Sequence, residues 1–256
     1  MSARNGFYCI VSPEELGVLA GYTALPVLYA YRAAPGPRLL RSCGPAPVGG
    51  GLLGLGLETG AEEGNWASLC RQCLLECRSR GATGVLLDWD RFSRKLFLAA
   101  RALAGTLEQA GMTLLVPEAY AGVSAHALVL VSSALSGGRL ELRLKEAVQR
   151  YGAQRVVLAL ERMQEDFRIP APGQQGRRLS QEELIRLRER RPCIYWSEDL
   201  CARYFTYRRE DGVHFVLFDD GASLRAKVEL AGRLGILHTA AAWREISDCV
   251  GTLIHE

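Results

Sequence analysis

The stretch Gly84-Val85-Leu86-Leu87-Asp88-Trp89-Asp90 is a short apolar run that ends in two carboxylates separated by a tryptophan. An apolar run of this length is typical of a strand that is buried on both faces, as in a parallel sheet. Residues 94–110 follow it with apolar side chains at helical spacing, and a glycine comes directly after them. Because side chains two positions apart on a strand face the same side, we expect Asp88 and Asp90 to converge where this strand ends.

The same alternation of short apolar runs with longer amphipathic stretches continues on both sides of residues 84–90, and it predicts repeated β–α units. Eight strands are predicted, at residues 7–11, 26–31, 52–57, 84–89, 113–117, 128–132, 155–160 and 239–243. Helices are predicted at residues 65–80, 94–110, 140–151 and 223–234. The 256 residues could form two small domains, but eight units favour a single α/β domain over residues 1–256, a (β/α)8 TIM barrel.

The pattern changes between about residues 164 and 218, after the seventh predicted strand. A charged helix is predicted at 181–190, and extended segments are predicted at 193–196, 204–207 and 213–218. The dipeptide Asp211-Gly212 between the last two segments is a hairpin signal. This region is therefore predicted to be a small α+β insertion within the barrel domain. Two Pro/Gly-rich segments, 33–51 and 169–178, are predicted to be loops.

The composition favours a soluble chain with a sizeable core, because hydrophobic residues make up 48% and charged residues 23% of the sequence. The net charge is only +3 and the arginines are scattered, so nucleic-acid binding is not expected. No stretch is apolar over the roughly 18 residues that a bilayer requires, so no membrane partner is expected. The first ten residues lack the apolar core of a signal peptide, and we therefore expect a cytoplasmic location.

Three of the eight cysteines, Cys70, Cys73 and Cys77, lie close enough in sequence to suggest a metal or iron–sulfur site. They fall at i, i+3 and i+7 in the predicted helix 65–80, so they share one face and equally fit a buried helix surface. The histidines are isolated and nearby His or Cys ligands are absent. A core position is favoured for the three thiols, and neither a metal nor another cofactor is expected.

Glycines cluster around the start of the third predicted strand, at Gly49-Gly50-Gly51 and Gly54-Leu55-Gly56. Such a cluster can form a phosphate-binding loop when Lys-Ser/Thr follows it. None follows here, and residues 52–57 have the pattern of a strand. A flexible approach to the third strand is therefore the favoured interpretation.

The C-terminal third of the chain carries a specific set of short motifs. They are Tyr204-Phe205-Thr206-Tyr207, Asp211-Gly212, His214-Phe215-Val216, Phe218-Asp219-Asp220, Ser223-Leu224, Lys227 and Trp243-Arg244. This run resembles the end of glycoside hydrolase family 18 barrels, which are chitinase-like, and particularly their bacterial subgroup associated with spores and cell walls. The resemblance implies that Trp243, on the eighth strand, forms the floor of a sugar-binding pocket. From the spacing alone, Asp220 can cap the next helix, so Asp219 and Asp220 are interpreted as structural.

The segment 83–90 aligns with the family pattern D-G-x-D-x-D-x-E. In that family the glutamate protonates the glycosidic oxygen and the aspartate orients the substrate's acetamido group, which is the nucleophile. The resemblance therefore implies catalytic positions for Asp90 and Asp88. Thr83 and Leu86 replace two family acids, however, and the side chain of Asp90 is one methylene shorter than glutamate. A misplacement of about 1 Å can reduce a rate about a hundredfold, so Asp90 is expected to be a poor proton donor.

Further candidates follow other predicted strands, where barrel active sites are built. Glu58 comes after strand three, Glu118 and Tyr120 after strand five, and Glu161 after strand seven. At the end of strand six, where the resemblance implies a Tyr-Asp pair, this chain has Val131-Ser132-Ser133-Ala134 instead. Each of the acids alone is more often a solvated loop residue. Together with Asp88 and Asp90 they would form an acidic pocket, with Trp243 at its floor and Trp89 at its side. A rebuilt catalytic acid pair could consist of Asp90 with Glu118 or Glu161.

Two functions remain open from the sequence. The first is a barrel that binds, and weakly hydrolyses, β-1,4-linked N-acetylglucosamine-containing glycan of the chitin or peptidoglycan type. The alternative is a catalytically inactive descendant that binds glycan or has a structural or regulatory role. The expected partner is an N-acetylglucosamine oligosaccharide or polysaccharide in both cases. The resemblance also implies an association with spores, and the oligomeric state stays open.

Overall fold

The computed structural model describes residues 6–36, 38–42, 44, 47–61, 66–169, 176–190 and 193–254. In chain order the strands are β1 (Gly6–Val11), β2 (Leu25–Ala34), β3 (Arg38–Arg41), β4 (Leu52–Leu57), β5 (Gly84–Asp88), β6 (Thr113–Pro117), β7 (Leu128–Ser132), β8 (Val156–Ala159), β9 (Gln164–Ile169), β10 (Arg177–Arg178), β11 (Tyr195–Ser197), β12 (Ala202–Arg209), β13 (Gly212–Phe218) and β14 (His238–Ala242). The helices are α1 (Trp66–Arg80), α2 (Arg94–Gln109), α3 (Leu140–Tyr151), α4 (Gln181–Glu189), α5 (Gly221–Arg233), α6 (Trp243–Ile246) and α7 (Val250–Leu253). Short 3-10 turns occupy Leu16–Gly21, Glu118–Val123 and Ala153–Arg155.

Eight of these strands form a closed parallel barrel, in the order β1, β2, β4, β5, β6, β7, β8 and β14. Closure is made by β14, which pairs in parallel with β1. The eight strands are those predicted from the sequence. The four predicted barrel helices are confirmed as α1, α2, α3 and α5. Residue 65, the first of the predicted helix 65–80, lies outside the described residues. The α/β class and the (β/α)8 TIM barrel are therefore confirmed.

Side-chain alternation along the strands separates two layers of core. On β5, Leu86 belongs to the cluster inside the barrel, together with Tyr8 of β1, Leu115 of β6 and Ala240 of β14. Val85 and Leu87 belong to the cluster between the strands and the outer helices. Asp88 therefore has the phase of Leu86 and faces the mouth of the barrel.

The segment 33–51 is not entirely a loop, and that prediction was wrong in part. β2 continues to Ala34, and β3 then pairs with it antiparallel, with Tyr31 opposite Arg41. Gly36 makes the reversal in the left-handed region, with a φ of 74°. The Pro/Gly signal at this point therefore marks a turn between two strands.

The insertion after the seventh barrel strand is confirmed. Its five strands form an antiparallel sheet in the order β10, β9, β13, β12, β11, and α4 begins at a Ser180 capping box. The Asp211-Gly212 signal marks the β12–β13 hairpin as predicted. β9 was not predicted, because its residues, Gln-Glu-Asp-Phe-Arg-Ile, are mostly polar, and β10 pairs with it inside the predicted loop 169–178.

A buried ion pair joins the insertion to the barrel at the point where the chain returns. Lys227 Nζ on α5 lies 2.6 Å from Asp219 Oδ2, and both side chains are almost completely buried. Asp219 also accepts hydrogen bonds from the Ser223 hydroxyl at 2.7 Å and from the Met163 backbone N–H at 2.9 Å. Asp220 caps α5 through a capping box with Ser223. The structural interpretation of the two aspartates is thus confirmed.

A second polar cluster holds the β12–β13 hairpin against β9. His214 Nδ1 lies 2.9 Å from Asp166 Oδ1, and Nε2 lies 3.0 Å from Asp211 Oδ1. The Tyr207 hydroxyl donates to Asp166 Oδ2 at 2.7 Å, and Arg177 lies 3.9 Å from the same carboxylate. Burial alone lowers the pKa of His214, but the hydrogen bonds to Asp211 and Asp166 outweigh it, so the pKa is raised.

Removal of the buried carboxylate is expected to be costly. We expect Asp219→Ala to lower the free energy of unfolding by about 3–5 kcal/mol, because it leaves the Lys227 charge buried without a partner. Glu229→Ala is the matched control, since it breaks an exposed ion pair with Arg225 and should cost less than about 1 kcal/mol. Chemical denaturation measures both, and equal losses in the two variants would contradict the anchoring role of Asp219.

The His214 cluster predicts a dependence of stability on pH. A raised pKa means that protonated His214 stabilises the fold fully below its unfolded-state pKa, and this contribution is lost as the pH rises through the folded-state value. The difference in unfolding free energy between the wild type and His214→Asn should therefore shrink from pH 6 to pH 9. His126→Asn, at an exposed position, should show no such trend. A difference in unfolding free energy that grows from pH 6 to pH 9 would contradict the prediction.

Candidate functional site

A cavity of about 330 Å³ opens at the carboxyl ends of the barrel strands. Its floor is apolar, with Ile10, Leu86, Leu130 and Ala240, and its polar lining residues are Tyr29, Asp88, Glu161, Arg244 and Glu245. An apolar pocket with a few convergent polar groups at this end of a barrel is the expected form of a ligand site. Another cavity, of about 270 Å³, lies at the opposite end of the barrel and is lined mainly by apolar residues without a carboxylate.

Asp88 is the carboxylate that β5 delivers to this cavity. The hydroxyl of Tyr29, on β2, hydrogen-bonds to it. Burial, this hydrogen bond and the charge of Asp88 raise the pKa of Tyr29 to about 12, so the phenol stays protonated as a donor. Tyr29 and Asp88 therefore form one hydrogen-bonded unit at the mouth.

Two glycines on β4 make room for Tyr29. A Cβ at Gly54 would lie 2.8 Å from Tyr29 Cδ2, and a Cβ at Gly56 would lie 2.8 Å from the Tyr29 hydroxyl. Gly56 is also the residue paired with Asp88 across β4 and β5. Tyr29 was not predicted as a site residue, although glycines at alternate positions of a strand are a signal for the close approach of a neighbouring group.

Glu161 reaches the same cavity from the loop after β8. The Ser132 hydroxyl donates to Glu161 Oε2 at 2.8 Å, and the Glu161 backbone N–H donates to Ser133 Oγ at 3.2 Å. Ser133 is buried, so it supports the Glu161 loop and does not face the cavity. The structure thus brings Asp88 and Glu161 to one cavity from strands separated by β6 and β7.

Asp90 and Glu58 lie outside the lining of this cavity. Asp90 is exposed two residues beyond the end of β5, and its charge is close enough to contribute to the raised pKa of Tyr29. Glu58 pairs with Arg32 at 3.5 Å on the outer rim, where both side chains are solvated. Of the site acids predicted from the sequence, Asp88 and Glu161 therefore share the cavity, and Asp90 lies outside its lining.

Glu118, Tyr120 and Trp89 do not reach the mouth. Glu118 is paired with Arg143 and accepts a hydrogen bond from Tyr151 at 3.2 Å, so it points toward α3. Trp89 is 3% exposed and packs edge-on against the fully buried Tyr120. Because Trp89 is one residue out of phase with Asp88, it faces the outer helices, and it cannot flank a ligand in the cavity.

Trp243 also has a different position from the one that the resemblance implies. β14 ends at Ala242, and Trp243 is the first residue of α6. Its ring lies 6.0 Å from that of Tyr22 and packs on the outer core cluster. The side chains that β14 contributes to the lining are alanines, so the cavity has no tryptophan floor in the described structure.

The cysteine helix is part of the core, as predicted. Cys70, Cys73 and Cys77 are buried in the cluster that joins α1 and α2 to the barrel. Burial raises the pKa of each thiol, that of Cys77 to about 12, so they stay protonated near neutral pH. Among the described residues, no group of three His, Cys, Asp or Glu side chains could hold a metal ion. None of the helices in the described ranges is both long and apolar enough to span a bilayer.

Neither a family model nor a curated protein sequence matches the chain. Solved structures do match. A chitinase from Chromobacterium violaceum is 16% identical with a TM-score of 0.72, covering 97% of this chain and 99% of that one. The spore cortex-lytic enzyme SleL of Bacillus megaterium is 16% identical with a TM-score of 0.65, covering 94% and 70%.

A class V chitinase mutant from Nicotiana tobaccum, in complex with NAG4, is 12% identical with a TM-score of 0.62 and covers 97% of this chain and 99% of that one. At these identities the similarity is one of fold. It agrees with the resemblance stated from the sequence motifs. The chain therefore has the chitinase-like (β/α)8 barrel fold of these structures, which is the fold that the resemblance to glycoside hydrolase family 18 implies.

Proposed function

We propose that this protein binds β-1,4-linked N-acetylglucosamine-containing glycan, of the chitin or peptidoglycan type, in the mouth cavity. The observation that carries the proposal is that Asp88 and Glu161 line one cavity of about 330 Å³, with the Tyr29 hydroxyl on Asp88. Chitinases share the fold, and one of them holds NAG4. The chitinase-like fold and the paired carboxylates support the same ligand class.

The polar lining suits the groups of an N-acetylated sugar. Carboxylates accept hydrogen bonds from sugar hydroxyls and from the acetamido N–H, whereas the Arg244 guanidinium can donate to a carbonyl or a ring oxygen. The apolar floor can receive a methyl group or a sugar face. Without a tryptophan in the lining, however, the cavity lacks a large stacking surface. Binding should therefore depend mainly on the hydrogen bonds of Asp88 and Glu161.

Hydrolysis is proposed to be weak. Substrate-assisted cleavage needs one acid at the acetamido group and a second that protonates the glycosidic oxygen. Asp88 suits the first role because Tyr29 holds it at the cavity. Asp90, in the family's proton-donor position, is shorter than glutamate and lies on the rim.

A second candidate function is hydrolysis through a rebuilt acid pair. It is favoured by one observation, the position of Glu161 in the same cavity as Asp88 with its carboxylate held by Ser132. Glu161 would then donate the proton that Asp90 cannot deliver. The two candidates can be distinguished by mutation. The hydrolytic activity should be lost in a Glu161 variant if Glu161 donates the proton, and in an Asp90 variant if Asp90 does.

Binding can be measured by calorimetry with an N-acetylglucosamine tetramer. We expect Asp88→Asn to raise Kd about tenfold, because hydrogen bonds to a charged group contribute roughly 1.5–3 kcal/mol. Tyr29→Phe should weaken binding less, since it only frees Asp88 to move. Glu146→Gln, on the exposed face of α3, serves as the control and should leave Kd unchanged. Absence of any binding by the folded protein would refute the proposal.

Hydrolysis can be measured by dye release from a chromogenic N-acetylglucosamine oligomer. If Asp90 is the donor, Asp90→Glu should raise turnover, by up to about a hundredfold, because it restores the missing methylene. If the rebuilt pair is used, Glu161→Gln should abolish turnover and Asp90→Ala should not. No turnover in the wild type or in Asp90→Glu, with binding retained, would establish the inactive alternative.

A further inference from the structure

A second cavity, of about 260 Å³, adjoins the mouth cavity on the side of the insertion. The two share Arg244 and Glu245 as lining residues. The remaining polar residues of the second cavity come from the barrel loop after β8, the insertion and the C-terminal segment, and include Arg162, Arg178 and Asp248. The two cavities therefore meet at Arg244 and Glu245.

The two cavities differ in charge. The mouth cavity is lined by three acids, Asp88, Glu161 and Glu245, and by one arginine, whereas the second cavity is lined by three arginines and two acids. The ligand site thus changes from acidic at β5 to basic beside the insertion. Like charges repel, so an anionic group on a ligand is excluded from the first end and accommodated at the second.

Two of the three arginines are already paired. Arg162 makes hydrogen bonds of 2.8 and 3.1 Å to the Asp248 carboxylate, and Arg178 lies 3.2 Å from Glu245 Oε1. Glu245 Oε2 in turn accepts the Arg162 backbone N–H at 3.1 Å. Both acids of the second cavity are therefore engaged by protein donors.

Arg244 has no such partner. Its side chain is exposed, and it forms no ion pair or hydrogen bond with the residues that the structure describes. Arg162 Nε is buried and also lacks an acceptor within the described ranges. Arginines thus outnumber acids in the lining of the second cavity, by three to two. A planar guanidinium binds a carboxylate through two parallel hydrogen bonds, which makes a carboxylate the best match for Arg244.

We propose that Arg244 binds a carboxylate carried by the glycan, so that the site prefers an acidic N-acetylated oligosaccharide to a neutral chito-oligosaccharide. This inference rests on the proposed function and specifies its substrate class. The charge distribution also sets the orientation of the glycan. The sugar that bears the carboxylate lies beside the insertion, and its neutral neighbour lies over Asp88.

Three disaccharides test the inference by calorimetry at low salt. The first is N-acetylglucosaminyl-β-1,4-N-acetylmuramic acid, the second is the same molecule with its carboxylate converted to a carboxamide, and the third is diacetylchitobiose. We expect the wild type to bind the acid about tenfold more tightly than the carboxamide, as expected for a charge-assisted pair. In Arg244→Gln this ratio should fall to about one. Arg101→Gln, at an exposed position on α2, should keep the wild-type ratio.

The possible failures are distinguishable. If the wild type binds all three disaccharides with equal affinity, or if Arg244→Gln keeps the preference for the acid, the inference about Arg244 is wrong and glycan binding stands. If the folded wild type binds none of the three, the proposed function fails and the inference fails with it. Added salt should reduce the preference for the acid, because the guanidinium is solvent-exposed.

Discussion

The ion pair between Asp219 and Lys227 is the interaction on which the arrangement of this molecule depends. Charges so deeply buried are tolerated only when they are paired and hydrogen-bonded, and Asp219 meets this condition with Lys227, Ser223 and the Met163 backbone. Met163 follows the last barrel strand before the insertion, and Asp219 follows the last strand within it. One carboxylate thus joins the point where the chain leaves the barrel to the point where it returns. The insertion is thereby held beside the mouth, where Arg178 and Gln164 can line a cavity with Arg244.

Strand alternation then decides which side chains reach that mouth. On β5 the inward phase contains Leu86 and Asp88, and the tryptophan between the two aspartates is directed to the outer layer. On β14 the inward phase contains Ala240 and Ala242, so Trp243 continues outward into a short helix. The site is therefore built from carboxylates and a tyrosine on a small apolar floor. Aromatic side chains contribute to the core around it.

The mouth has a directional charge distribution. Asp88, held by Tyr29, lies at one side, and Glu161, held by Ser132, lies across the cavity on a loop that also leads to Arg162. Beyond them the arginines of the insertion junction provide positive charge. A site of this kind can distinguish the two ends of a bound oligosaccharide, because each end meets charge of a different sign. The orientation of the proposed glycan ligand thus depends on how the insertion sits on the barrel.

The sequence by itself determined the eight strands, the barrel helices, the place of the insertion, the Asp220 helix cap and the core position of the cysteines. These features are encoded in local periodicity and capping, which act over a few residues. Only the tertiary structure decided the composition of the site: that Glu118 pairs with Arg143, that Gly54 and Gly56 admit Tyr29, and that Glu161 shares a cavity with Asp88. Each of these contacts joins residues at least 25 positions apart, and such pairings depend on barrel register and loop direction. Local pattern carries no information about either, because both are set by the packing of the whole barrel.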